Sequence, residues 1–129
     1  MIFGIGTDLV HIPRMQELLD KHDDKIALRI LSDTEFSEFQ RTTNQAAFLA
    51  KRFAAKEAAA KALGTGFRDG LSLRHIEVVN NEKGKPELSF YKQGQTLIEQ
   101  HNISRSLLSL SDEKDYALAF VTLIENLER

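Results

Sequence analysis

From Arg52 to Gly66 the chain reads RFAAKEAAAKALGTG, and this stretch constrains the fold more than any other. Alanine is the strongest helix former, so a run so rich in it is committed to a helix. The apolar pattern extends back to Gln45, and Gly64 supplies a left-handed exit, which places the helix over residues 45–63. Glu57 and Lys61 stand out from the alanines at i, i+4 spacing, with the acid on the N-terminal side. Such a pair either supports the helix, by about 0.3–0.5 kcal/mol when exposed, or forms half of a site. Phe53 lies on the same stripe. Ala54, Ala58 and Ala60 flank Glu57 with small side chains, which would leave room for a bulky ligand.

Strands are expected at both ends of the chain. IFGIGTDLV near the start is a short apolar run of the kind that makes a buried strand. Alternation puts Ile2, Gly4, Gly6 and Asp8 on one face. Pro13 can open a helix, and Met15, Leu18 and Leu19 follow at helical spacing. Ser32 and Glu35 form a candidate capping box for another helix. LSLRHIEVVN and PELSFY read as strands around the turn NEKGK, QTLIEQHN as a short helix, and SLLSLS with YALAFVTLIE as a hairpin. Terminal strands with helices between them predict an α+β fold, a mostly antiparallel sheet packed against the long central helix and shorter helices.

The 129 residues suit a single domain, 1–129. With a net charge of −2 the chain lacks the basic field of a nucleic-acid binder. It has no cysteine, which excludes disulfides, thiolate metal sites and a cysteine nucleophile. No apolar run reaches membrane-spanning length, and the start lacks a secretory signal's basic region, so no membrane association and a cytoplasmic location are expected.

Asp8 lies at the end of a strand face carrying Gly4 and Gly6. Glycine in a strand often marks the close approach of another group. Taken alone, Asp8 reads more readily as a turn residue before Pro13. Taken with Glu57 and Lys61, it completes two carboxylates and one ammonium, a set suited to phosphoryl chemistry. Magnesium takes hard oxygen ligands, commonly one or two carboxylates plus substrate phosphates, and a lysine acts on phosphate as a point charge. His11, His22, His75 and His101 show no ligand spacing and read as surface residues. The Gly64-Thr65-Gly66 turn follows a helix instead of opening one, so it is a helix stop before it is a phosphate loop.

GIGTDLVHIPRM and RFAAKEAAAKALGTG together resemble the two signature motifs of holo-acyl-carrier-protein synthases, the small bacterial type of 4′-phosphopantetheinyl transferase. SLSDEKDYALAFVTLIE resembles the C-terminal strands of that family and NEKGKPEL its central turn, so the likeness spans nearly the whole chain. The resemblance implies transfer of 4′-phosphopantetheine from coenzyme A to a serine of apo acyl carrier protein, in support of fatty acid biosynthesis. Adenosine 3′,5′-bisphosphate would be released. It implies that Asp8 and Glu57 bind Mg²⁺, that Lys61 stabilises the pyrophosphate, and that the serine proton passes to Glu57 or to a water on the metal. Arg52 would hold a coenzyme A phosphate. Gly64, Thr65, Gly66 and Pro86 would line the adenosine end, and Arg14 would meet the carrier's acidic helix. A homotrimer is implied, with sites at subunit interfaces.

The chain departs from the family pattern in three places. Leu108 stands where many relatives have histidine before the Ser-Xaa-Ser of the penultimate strand. RTTNQ replaces a basic pair before the long helix, leaving Arg41 there. From Pro13 to Arg29, Arg14, Lys21, Lys25 and Arg29 are balanced by Glu17, Asp20, Asp23 and Asp24, so docking of an acidic carrier depends on how these charges divide between faces. A non-catalytic coenzyme A or nucleotide-binding module, regulatory or scaffolding, would not need both acids and Lys61. A structural trimer would leave Asp8 and the two glycines unexplained.

Overall fold

The computed structural model describes residues 1–127. Five strands and five helices follow one another as β1 (Ile2–His11), α1 (Ile12–His22), α2 (Lys25–Ile30), α3 (Asp33–Arg41), α4 (Gln45–Leu63), β2 (Ile76–Asn80), β3 (Pro86–Phe90), α5 (Gln93–Gln100), β4 (Ile103–Glu113) and β5 (Tyr116–Glu125). A 3₁₀ turn at Leu73–His75 precedes β2. β1, β5 and β4 form one antiparallel sheet in that order, and β2 pairs with β3 in a second. The α+β expectation holds. Six-residue α2 is an additional element, too short to show a clear apolar period in the sequence.

α4 is the centre of the molecule. It lies across β1 and β5, and Ala54, Ala55, Ala58, Ala59 and Ala60 are fully buried along it. On the other side of the contact, Ala117, Ala119, Val121 and Leu123 of β5 are equally buried. A helix apolar on nearly every side belongs inside a core. The alanines are therefore the packing surface, and the expected open approach to Glu57 along them is not present.

The two glycines of β1 carry the same correction. A Cβ on Gly4 would sit 2.1 Å from the Ala62 carbonyl oxygen, and one on Gly6 would sit 1.9 Å from that of Ala58. The group that approaches this strand so closely is the backbone of α4. Gly6→Ala is therefore expected to destabilise the fold by about 1–3 kcal/mol or more, because the obstruction is backbone and has no rotamer to yield. Urea denaturation checks this, and a loss below the cost of an ordinary surface change would show that the helix can retreat freely.

A buried ionic network fixes the other side of α4. Lys56 is fully buried; its ammonium donates to Glu35 Oε1 at 2.6 Å and to the Ile30 carbonyl at 2.6 Å. Glu35 also accepts from the backbone of Ser32 and Val78, so it joins the capping box of α3 to β2 and α4. Arg52 lies over the Phe48 ring, with its guanidinium near Glu35 and Glu38.

The face of the larger sheet turned away from α4 is apolar and exposed. Ile5, Leu9, Leu107, Leu118 and Phe120 lie there, each between 38% and 61% accessible.

Candidate active site

β1 continues through to His11, so Asp8 is a strand residue paired with Ala119 and not a turn cap. Strand alternation turns its side chain to the same face as Gly4 and Gly6, toward α4. Gly4 meets Ala62 and Gly6 meets Ala58, so strand and helix run in opposite directions; Asp8 lies beside the turn of α4 that precedes Ala58, and the Lys61 side chain reaches back to it. Asp8, Glu57 and Lys61 meet there as a result.

Lys61 does not close the helical pair with Glu57 suggested by its i, i+4 spacing. Its ammonium crosses to β1 and donates to Asp8 Oδ1 at 3.1 Å and to the Thr7 carbonyl at 2.9 Å. Glu57 is raised above the ordinary carboxylate range, first by partial burial and then by the negative charge of Asp8; Lys61 pulls it partway back. The two carboxylates therefore sense each other across the strand–helix contact. Mutual repulsion of this kind is relieved by a shared cation. Among the described residues no group of three or more metal-ligating side chains occurs. A two-carboxylate set fits Mg²⁺, which draws its remaining oxygens from water and substrate phosphates, and does not fit a caged structural metal.

Lys61 lies in the last turn of α4. Gly64 then takes φ +84° and Gly66 φ +62°, and space is open beside both. The Gly66 amide donates to the Ala60 carbonyl at 3.2 Å, and the Thr65 hydroxyl to the Gly66 carbonyl at 2.9 Å. This exit is both a helix stop and an accessible turn next to the lysine. Pro86 opens β3 opposite Asn80, on the second sheet.

Arg52 lies on another side of α4. It points away from the acid pair, as the 140° between positions 52 and 57 on a helix dictates, and its side chain is only 6% exposed. Its guanidinium is placed near Glu35 and Glu38 and over the Phe48 ring. Leu108 is buried at 7% exposure in the core beneath α4, where a leucine is the apolar choice. Lys56 and the second role of Glu35 were not anticipated from sequence. The available signal was a lysine inside an all-round apolar helix, which must find a buried partner.

Arg14 shares a cavity of about 450 Å³ with Asp8, walled by Met15, Leu18, Ile26 and Phe53. A neighbouring recess is lined by Leu18, His22, Lys25, Ile26 and Arg29. Asp20, Asp23 and Asp24 line a different recess, with Thr43, Asn44 and Gln45. The balanced charge of residues 13–29 is thus divided between faces, and the basic, apolar side is the one next to Asp8.

Comparison with known proteins agrees with this architecture. The 4′-phosphopantetheinyl transferase superfamily profile matches residues 4–121. A holo-[acyl-carrier-protein] synthase of Nitrosococcus oceani is 52% identical over 128 residues, covering 99% of this chain and 83% of the relative. The crystal structure of a holo-[acyl-carrier-protein] synthase from Neisseria meningitidis superposes with a TM-score of 0.92 at 45% identity, covering 97% of this chain and all of that one. One from Bacillus anthracis, described as a complex with CoA (3′,5′-ADP), gives 0.80 at 35% identity, over 98% and 99% of the two chains. With a match that begins at the first glycine of β1 and ends in the core of β5, and a relative half-identical over nearly the whole of this chain, the protein belongs to the 4′-phosphopantetheinyl transferase superfamily.

Proposed function

We propose that this protein transfers 4′-phosphopantetheine from coenzyme A to a serine of an apo acyl carrier protein, as a holo-acyl-carrier-protein synthase. The observation that carries the reading is the meeting of Asp8, Glu57 and Lys61 beside the open Gly64–Gly66 turn. Two acids and a lysine gathered at an accessible edge have little use in a coenzyme-binding scaffold. They suit the handling of a diphosphate.

In this reading the serine oxygen attacks the phosphorus of coenzyme A that bears the pantetheine arm. The new O–P bond forms as the bond to the adenosine 3′,5′-bisphosphate leaving group breaks. Asp8 and Glu57 would hold Mg²⁺, which supplies neutralisation of phosphate charge. Lys61 places an ammonium against the diphosphate, and Glu57 is proposed to take the serine proton or to orient a water that does. Gly64, Thr65 and Gly66 offer an unobstructed backbone to the nucleotide end, with Pro86 proposed as its further wall. Arg14 and the basic face around it are proposed to receive an acidic carrier. The reaction is mostly positioning and charge stabilisation, which matches a site held by rigid backbone contact.

The exposed apolar face of the larger sheet supports a homo-oligomer, with a trimer as the proposed state. A cytoplasmic role in fatty acid biosynthesis is part of the same proposal. Among the described residues no helix is long and apolar enough to cross a membrane.

Intact-mass spectrometry of an apo carrier protein incubated with this protein and coenzyme A, with and without Mg²⁺, tests the reading. One phosphopantetheine is expected on the carrier only when metal is present. A folded protein that binds coenzyme A yet modifies no carrier would favour a non-catalytic binding module instead.

A further inference from the structure

The Lys61 ammonium occupies the carboxylate that a metal would need. It donates to Asp8 Oδ1 at 3.1 Å and is held against β1 by the Thr7 carbonyl at 2.9 Å. A lysine dedicated to a substrate phosphate would gain nothing from this backbone tether. The tether holds a positive charge against Asp8, one of two acids that otherwise repel.

We infer that Lys61 is the built-in counter-ion of Asp8, released from the strand when a divalent cation binds and thereby freed to meet the substrate diphosphate. The inference rests on the Mg²⁺ reading above. Two features support it. Asp8 is only 17% exposed while Lys61 is 52% exposed, so the acid is fixed and the lysine is the partner able to leave. Lys61 stands in the last turn of α4 beside the open turn at Gly64 and Gly66, which gives its side chain room to swing.

Competition is reciprocal: if a cation displaces Lys61 from Asp8, Lys61 weakens cation binding by the same factor. Removing the ammonium should therefore tighten metal binding even as it harms turnover. A lysine that merely held Asp8 in place would give the opposite sign, because its loss would loosen a ligand.

The test is Mn²⁺ binding, followed by electron paramagnetic resonance in the absence of coenzyme A. It compares the full chain, Lys61→Met, Lys61→Arg and Asp8→Asn at one ionic strength. Lys61→Met is expected to bind Mn²⁺ about two- to fivefold more tightly, the scale of a half-exposed ion pair. Lys61→Arg should stay near the parent, and Asp8→Asn should lose binding. Unchanged or weaker binding by Lys61→Met, with loss in Asp8→Asn, would overturn the counter-ion role and leave the metal site standing. Equal binding, or none, in all four proteins would overturn the metal reading itself and the inference with it.

Discussion

Glu57→Gln is expected to lower phosphopantetheine transfer by about 10²–10³-fold or more while making the protein more stable at neutral pH. The first effect follows from removing one of two carboxylates where charge must be gathered on a cation and a diphosphate. The second follows from the raised affinity of Glu57 for a proton, caused by burial and by Asp8. A carboxylate raised in the folded state is ionised there at a cost. That cost is present above the folded value and disappears as pH falls through it, because the folded protein then takes up the proton first. Glutamine never carries the charge. The melting temperature of Glu57→Gln should thus exceed the parent's near pH 7, and the gap should close toward pH 4, the ordinary carboxylate range. Thermal melts at several pH values and the mass assay measure the two effects. A variant with parental turnover at ordinary Mg²⁺ would remove Glu57 from the site. One that melts lower than the parent at pH 7 would mean that its charge is stabilising.

Lys56→Met carries the second large expectation, in stability. The substitution keeps the length and apolar stem of the side chain and removes only the charge. Glu35 is then left 1% exposed without its hydrogen-bonded cation, although the Ser32 and Val78 amides still donate to it and the Arg52 guanidinium stays 3.8 Å away. Breaking a buried pair from one side typically costs about 3–5 kcal/mol, because the remaining charge stays out of water. Burial pushes the Lys56 ammonium down in pKa and Glu35 draws it back up, as expected of a charge tolerated for its partner. Urea unfolding should show this loss, against less than about 1 kcal/mol for Lys61→Met on the same helix. Comparable effects from the two lysines would show that Glu35 is content with its amide donors and Arg52.

The contrast between these lysines shows what was legible in the sequence. α4 could be read to its ends, Gln45 and Leu63, because alanine propensity and a glycine exit act locally. The Ser32–Glu35 capping box could be read for the same reason, and it forms. Asp8, Glu57 and Lys61 were marked by their chemical type and by the two motifs. The partner of each charge was not legible. Lys61 bonds across 53 positions to Asp8, and Lys56 across 21 to Glu35, distances at which local spacing carries no information. Gly4 and Gly6 were correctly read as a place of close approach, but only the packed structure shows that the approaching group is the helix itself. Arg52 was drawn to the site by its place in the motif, and the helical turn takes it to the opposite side.

The separation between Asp8 and Glu57 is inherited from backbone set directly against backbone, at Gly6 against Ala58. Glycine and alanine have no rotamers to exchange and lose no side-chain entropy when buried. Long side chains wedged between strand and helix would let the gap breathe as they hopped between conformers. Here the gap has no such freedom, so a rise in temperature that loosens the leucines and phenylalanines elsewhere should leave the bite of the two acids unchanged until α4 lifts from β1 altogether.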